Sequence, residues 1–157
     1  MNTRKKEREN RKYFYRLEEE ESVNVGGNYS TAKGPLVQGE RIQVSLVHKA
    51  AGTGAKPHTH PNEQFNYLLK GKLKAMVDGQ ERLVTAGTLI HIPANVVHAT
   101  VATTDEDVIF LAMKDMSWGI AGTAVDKDDP GPYYEPGFEP DKKIPDKPTN
   151  KPQGKQE

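Results

Sequence analysis

Four side chains in two separated stretches have the types and spacing to grip one metal ion. Residues 52–71 read GTGAKPHTHPNEQFNYLLKG, with His58 and His60 one residue apart. On a β-strand alternate side chains share a face, so these two imidazoles project together about 7 Å apart and can lean onto one cation. Thr59 then points away. Pro61-Asn62 supplies a turn, after which Gln64 offers an amide carbonyl oxygen, and the distant His98 is the candidate closing ligand. With no cysteine in the chain, such an ion must be held by nitrogen and oxygen ligands, and a disulfide framework is excluded.

The elements that must position these groups have a period of two. Ile42, Val44 and Leu46 alternate with Gln43, Ser45 and Val47, and Leu73, Ala75 and Val77 alternate with Lys72, Lys74 and Met76. Asp78-Gly79 is a tight hairpin signal between the second of these runs and a returning strand at Leu83-Val84-Thr85. Ala86-Gly87 turns the chain into a strand over 88–92, Pro93-Ala94-Asn95 turns it again, and strands over 98–101 and 108–113 follow. No amphipathic helix interrupts the series. Many short antiparallel strands punctuated by Gly and Pro predict an all-β sandwich or small barrel.

A length of 157 residues allows one such core with tails. Residues 1–22 form a charged N-terminal arm, and the stretch to Glu21 holds seven Lys or Arg and six Glu. Residues 23–118 carry the barrel, and 119–157 form a Pro-rich C-terminal tail with seven prolines from Pro130 onward. Tyr133, Tyr134 and Phe138 are its candidates for packing back on the barrel. The formal net charge of zero removes a global case for nucleic acid or an anionic membrane as partner. No apolar run is long enough to cross a bilayer, and the polar first residues do not read as a secretory signal, so a cytoplasmic location is the expectation.

Two motifs with matched spacing carry a family resemblance. The first is Gly52, His58-Thr59-His60, Gln64 and Gly71, and the second is Gly87, Pro93, Asn95 and His98. Together they resemble the paired motifs of the cupin superfamily, over roughly residues 36–118. The resemblance implies a small double-stranded β-helix, or jelly-roll, barrel whose interior holds a divalent transition metal (Fe, Mn, Ni, Co or Zn) on His58, His60, Gln64 and His98. Gln64 stands where cupins usually have glutamate, which makes the ligand set neutral and leaves the ion its full charge. A glutamine here is similar to the arrangement in bicupin isomerases of bacilysin synthesis and in the small cupin of pectin degradation. Asn95 replaces a frequent glycine at a left-handed turn that Asn tolerates, and Ala102 replaces a frequent asparagine.

The resemblance implies a metal-binding cupin and favours an enzyme acting on a small oxygenated anion by Lewis-acid-assisted proton transfer, of isomerase or lyase type. An Fe(II) dioxygenase and a non-catalytic small-molecule-binding module are the alternatives. His91 and Glu63 are weak candidates for the catalytic acid or base, each with a bland competitor as a surface residue. Glu63 is also an alternative ligand to Gln64, but neighbouring strand residues cannot both point inward. Gln43, Ser45, Asn66, Tyr67, Arg41 and Lys114 are possible substrate contacts with equal reason to face water, and His48 is expected at the surface. The expected partners are a small-molecule substrate and a second copy in a homodimer, with residues 23–38 as a segment two subunits could exchange.

Overall fold

The computed structural model describes residues 3–140. A short exposed helix, α1 (Thr3–Glu9), lies in the charged arm. The barrel follows in strands β1 (Ser22–Asn24), β2 (Lys33–Gln38), β3 (Ile42–Lys49), β4 (Thr53–Gly54), β5 (His58–Thr59), β6 (Gln64–Lys70), β7 (Lys72–Val77), β8 (Gln80–Thr85), β9 (Leu89–Ile92), β10 (His98–Ala102) and β11 (Val108–Asp115). Two further pairs, β12 (Thr123–Ala124) and β13 (Tyr133–Tyr134), come from the region read as tail.

All pairings are antiparallel and form two sheets. One runs β1-β2-β3-β11-β6-β9. In the other, β10 is central, with β7 and then β8 along one edge and with β4 and β5 along the other. This is the jelly roll that the family resemblance implies. Within the 23–38 segment, β2 pairs with β3.

Turn chemistry sets the strand order where the sequence announces it. Asp78 and Gly79 have φ of 50° and 76°, the left-handed pair that a two-residue hairpin needs, and β7 meets β8 directly across them. Gly71 has φ of 85°, and a Cβ there would stand 2.5 Å from the Asp107 carbonyl oxygen, so only glycine fits.

The apolar core gathers Leu68, Leu73, Ile92, Val108 and Phe110, all at most 3% exposed. Truncating one of these to alanine costs about 2–5 kcal/mol. In β3, however, the inward face is Gln43, Ser45, Val47 and Lys49, while Val44 and Leu46 are only half-buried and Ile42 is exposed. A barrel with a polar interior inverts the usual inside-outside reading of an alternating strand.

The barrel also extends past the boundary drawn after Trp118. β12 pairs with β5, β13 pairs with β4, and the Gly122 N–H donates to Tyr29 Oη at 2.7 Å. Phe138 packs against Gly52, where an added Cβ would lie 2.4 Å from the ring. Tyr133, Tyr134 and Phe138 therefore do pack back, the two tyrosines by strand pairing with β4 and Phe138 against Gly52. The prolines at 145, 148 and 152 lie outside the described residues.

Candidate metal centre and barrel cavity

His58 and His98 face each other directly across β5 and β10, which brings their ring centroids to 4.2 Å. His60 completes the group, 4.7 Å from His98 and 6.2 Å from His58. The three residues offer ligand nitrogens that all lie within 4.8 Å of one another, and each side chain is buried. The two motifs are tied together through the backbone: Asn95, with φ of 63°, donates its N–H to the His60 carbonyl at 2.8 Å. That left-handed residue is how the turn before β10 delivers His98 beside His60.

Backbone carbonyls fix the tautomers. Nδ1 of His58 lies 2.7 Å from the Lys56 oxygen, Nδ1 of His60 2.9 Å from the Asn62 oxygen and Nδ1 of His98 2.9 Å from the Val96 oxygen. A carbonyl only accepts, so each Nδ1 carries the proton and each Nε2 keeps its lone pair for a ligand. Nε2 of His60 is buried without a partner. Burial pushes the His58 imidazole down to about 2 and that of His98 down to about 4, with nearby positive charges adding to the effect. His60 is lowered as well, by burial first and then by the Lys114 ammonium. Neutral imidazoles with converging lone pairs and one orphaned buried nitrogen fit a cation.

Gln64, 8% exposed, opens β6 on the same interior. Its Nε2 donates to Asn66 Oδ1 at 2.6 Å, which leaves the amide oxygen as the group free to accept or ligate. Glu63 points the other way. Its carboxylate Oε2 lies 2.9 Å from His91 Nε2 on the outer face, both side chains are about half exposed, and the His91 ring stacks on Phe65 at 4.6 Å. The placement corrects the reading of His91 and Glu63 as acid-base candidates: neither lines the cavity, because each is one strand position away from an inward residue, Ile92 or Gln64.

The cavity beside the histidines measures about 50 Å³ and is lined by His58, Gln64, Asn66 and His98 together with Ser45, Thr100, Tyr29, Lys49 and Lys114. Tyr29 stacks on His58 at 4.1 Å. Of the suggested substrate contacts, Ser45, Asn66 and Lys114 line this space, Gln43 is buried in hydrogen bonds to Gln38 and to the 115–118 turn, and Tyr67 and Arg41 face outward.

Two residues escape the sequence argument. Lys49 is 3% exposed inside the barrel, and the signal for it was its place two steps after Val47 on the inward face of β3. Asn62, 0% exposed, is more than a turn residue. Its amide reaches the carbonyls of Asp115, Trp118 and Gly119 at 3.0–3.2 Å while its own carbonyl holds His60.

Comparison with known proteins follows this geometry. A family model described as a cupin domain matches residues 45–114. Over those residues the chain matches the cupin superfamily. An RmlC-like cupin from Shewanella frigidimarina superposes with a TM-score of 0.56 at 21% identity, covering 67% of this chain and 91% of that one. KdgF from a Halomonas species gives 0.58 at 19% identity over 67% and 94%. An oxalate decarboxylase gives 0.52 at 26% identity over 63% of this chain and 28% of its own. No curated protein matches the sequence. The cupin barrel thus carries a three-histidine group that could hold a metal ion, and among the described residues no helix is long and apolar enough to cross a membrane.

Proposed function

We propose that this cupin is a metal-dependent enzyme acting on a small oxygenated anion by proton transfer, of isomerase or lyase type. The observation that carries the reading is the set of three imidazoles whose Nδ1 atoms are committed to backbone carbonyls and whose remaining nitrogens converge, one of them orphaned. His58, His60 and His98, with the Gln64 amide oxygen, would hold a divalent transition metal such as Fe, Mn, Ni, Co or Zn. Such an ion supplies a Lewis acid for a substrate oxygen.

The chain's own residues supply the rest. Every candidate ligand is neutral, so the interior offers no negative charge to offset a cation, and an anion is the complementary guest. Asn66 orients the Gln64 amide, and Asn62 fixes the His60 ring. With His91 and Glu63 outside, the cavity groups able to exchange a proton near neutrality are the amines of Lys49 and Lys114, which burial pushes down to about 7 and about 8. The likeness to an enzyme named for oxalate, itself a small oxygenated anion, agrees with this class of guest.

Elemental analysis of the purified protein beside its His98→Ala and Gln64→Glu variants tests the reading. Wild type is expected to hold a transition metal, His98→Ala to lose it by at least about tenfold in affinity, and Gln64→Glu to retain it. Unchanged metal content in His98→Ala overturns the ligand assignment.

A further inference from the structure

Two amines lie inside the barrel without an acidic partner among the described residues. Lys49 donates from Nζ to the Thr100 carbonyl and to Thr100 Oγ1, both at 2.8 Å, and passes 5.8 Å from the centre of the Phe110 ring. Lys114, 7% exposed, donates to the Ile120 carbonyl at 2.6 Å. Both line the cavity of the histidines, and no Asp or Glu is among its lining residues. Carbonyl and hydroxyl oxygens are dipoles, not countercharges, and a buried ammonium without an anion is costly to maintain. Each ammonium has three donors, of which Lys49 has engaged a single residue and Lys114 a single oxygen.

The two amines approach from opposite ends. Lys49 lies opposite Val108 and Lys114 opposite Gln43, so their anchor points are separated by most of the length of the β3–β11 ribbon, about 20 Å of strand. Both side chains line the cavity that His58 and His98 also line. The positive charge of Lys49 acts on His58 and His98, and that of Lys114 acts on His60 and His98. The small side chains of Ser45, Ala112 and Ala32 leave the space that the two amines share with the imidazoles of His58 and His98.

We propose that the guest of this cavity is a small dianion carrying two carboxylate-type groups, one paired with Lys49 and the other with Lys114. The inference rests on the reading of the barrel interior as a ligand site and deepens it, naming a two-ended charge where that reading requires only an anion. Charge-assisted hydrogen bonds from two buried amines discriminate a dianion from a monoanion of the same chemistry. They also explain why a barrel would keep two lysines that weaken its own core.

Calorimetric titration of the full chain with malonate, acetate and malonamide tests it, in metal-loaded and in chelator-treated protein. Malonate is expected to bind at least about tenfold tighter than acetate or malonamide, and Lys49→Met and Lys114→Met each to weaken malonate by about tenfold or more. Metal content is expected to stay unchanged in both variants, with melting temperatures equal or higher because an uncompensated buried charge is gone. Equal affinity for malonate and malonamide overturns the proposal, and that comparison needs only wild type should a variant fail to fold. Wild-type malonate affinity in both Met variants also overturns it and makes the lysines structural. Because the lysine dependence is read in chelated protein too, it can stand where elemental analysis finds no metal, and it can fall where the metal is present.

Discussion

The histidines inside this barrel and those outside it are the same side chain in two settings. His58, His60 and His98 give their Nδ1 hydrogens to backbone carbonyls two residues away and turn their second nitrogens toward one another. His91 and His48 instead meet carboxylates at the surface, Glu63 at 2.9 Å and Asp107 at 3.1 Å. An imidazole partnered by a carbonyl stays neutral with a lone pair to offer, whereas one partnered by a solvated carboxylate has its nitrogen occupied. The lesson is that residue type does not mark the site. The face of the strand does, and Gln64 beside Glu63 makes the same point within one dipeptide.

The sharpest way to break this comparison is to exchange the two settings. Alanine at His98 should cost at least tenfold in metal affinity, roughly the loss expected for a whole ligand, whereas alanine at His91 should leave metal content unchanged. Metal analysis after identical loading decides it, and a loss in His91→Ala would erase the distinction between inside and outside.

Next in size is Asn62→Ala. Removing an amide that holds the Asp115, Trp118 and Gly119 carbonyls leaves Gln43 as the remaining side-chain donor to this turn and frees the loop that carries the His60 partner. We expect about 1–3 kcal/mol of destabilisation by denaturant unfolding, together with weaker metal binding of about tenfold. Stability lost with metal affinity intact would make Asn62 a loop staple alone.

Lys49 gives a pH signature of the interior. Burial sets its amine at about 7, against 10.5 when solvated. Between those values the unfolded chain binds a proton that the fold does not, so the stability of metal-free protein should rise with pH from about 7 to 10 and be lost again as pH falls toward 7. Thermal melts should show a smaller rise in Lys49→Met. An identical pH dependence in the variant would remove Lys49 from the interior account.

The smallest effect is expected on the outer surface. Glu63→Gln breaks a half-exposed ion pair worth at most about 1 kcal/mol, and the melting temperature should scarcely move. A large change would mean that this pair supports the barrel in a way its exposure hides.

Much of this could be read along the chain. The Asp78-Gly79 hairpin, the left-handed Asn95 and the inward alternation of His58 and His60 are local consequences of backbone sterics and strand period, so neighbouring residues suffice to fix them. The same local logic was silent on β3, where Lys49 keeps step with Gln43, Ser45 and Val47 but looks like any lysine at a strand end. It also stopped the barrel too early, because the contacts of Gly122 with Tyr29 and of β13 with β4 join positions far apart in sequence.

The sequence alone determined the strand period, the turns that reverse it and which side chains could ligate a metal, since those depend on each residue and its immediate neighbours. Only the tertiary structure decided which face of each strand is the inside. That choice placed His91 and Glu63 in solvent and enclosed Lys49 and Lys114 beside the imidazoles. The physical reason is that inside and outside are properties of two sheets closing on each other, and a one-residue step along a strand exchanges them.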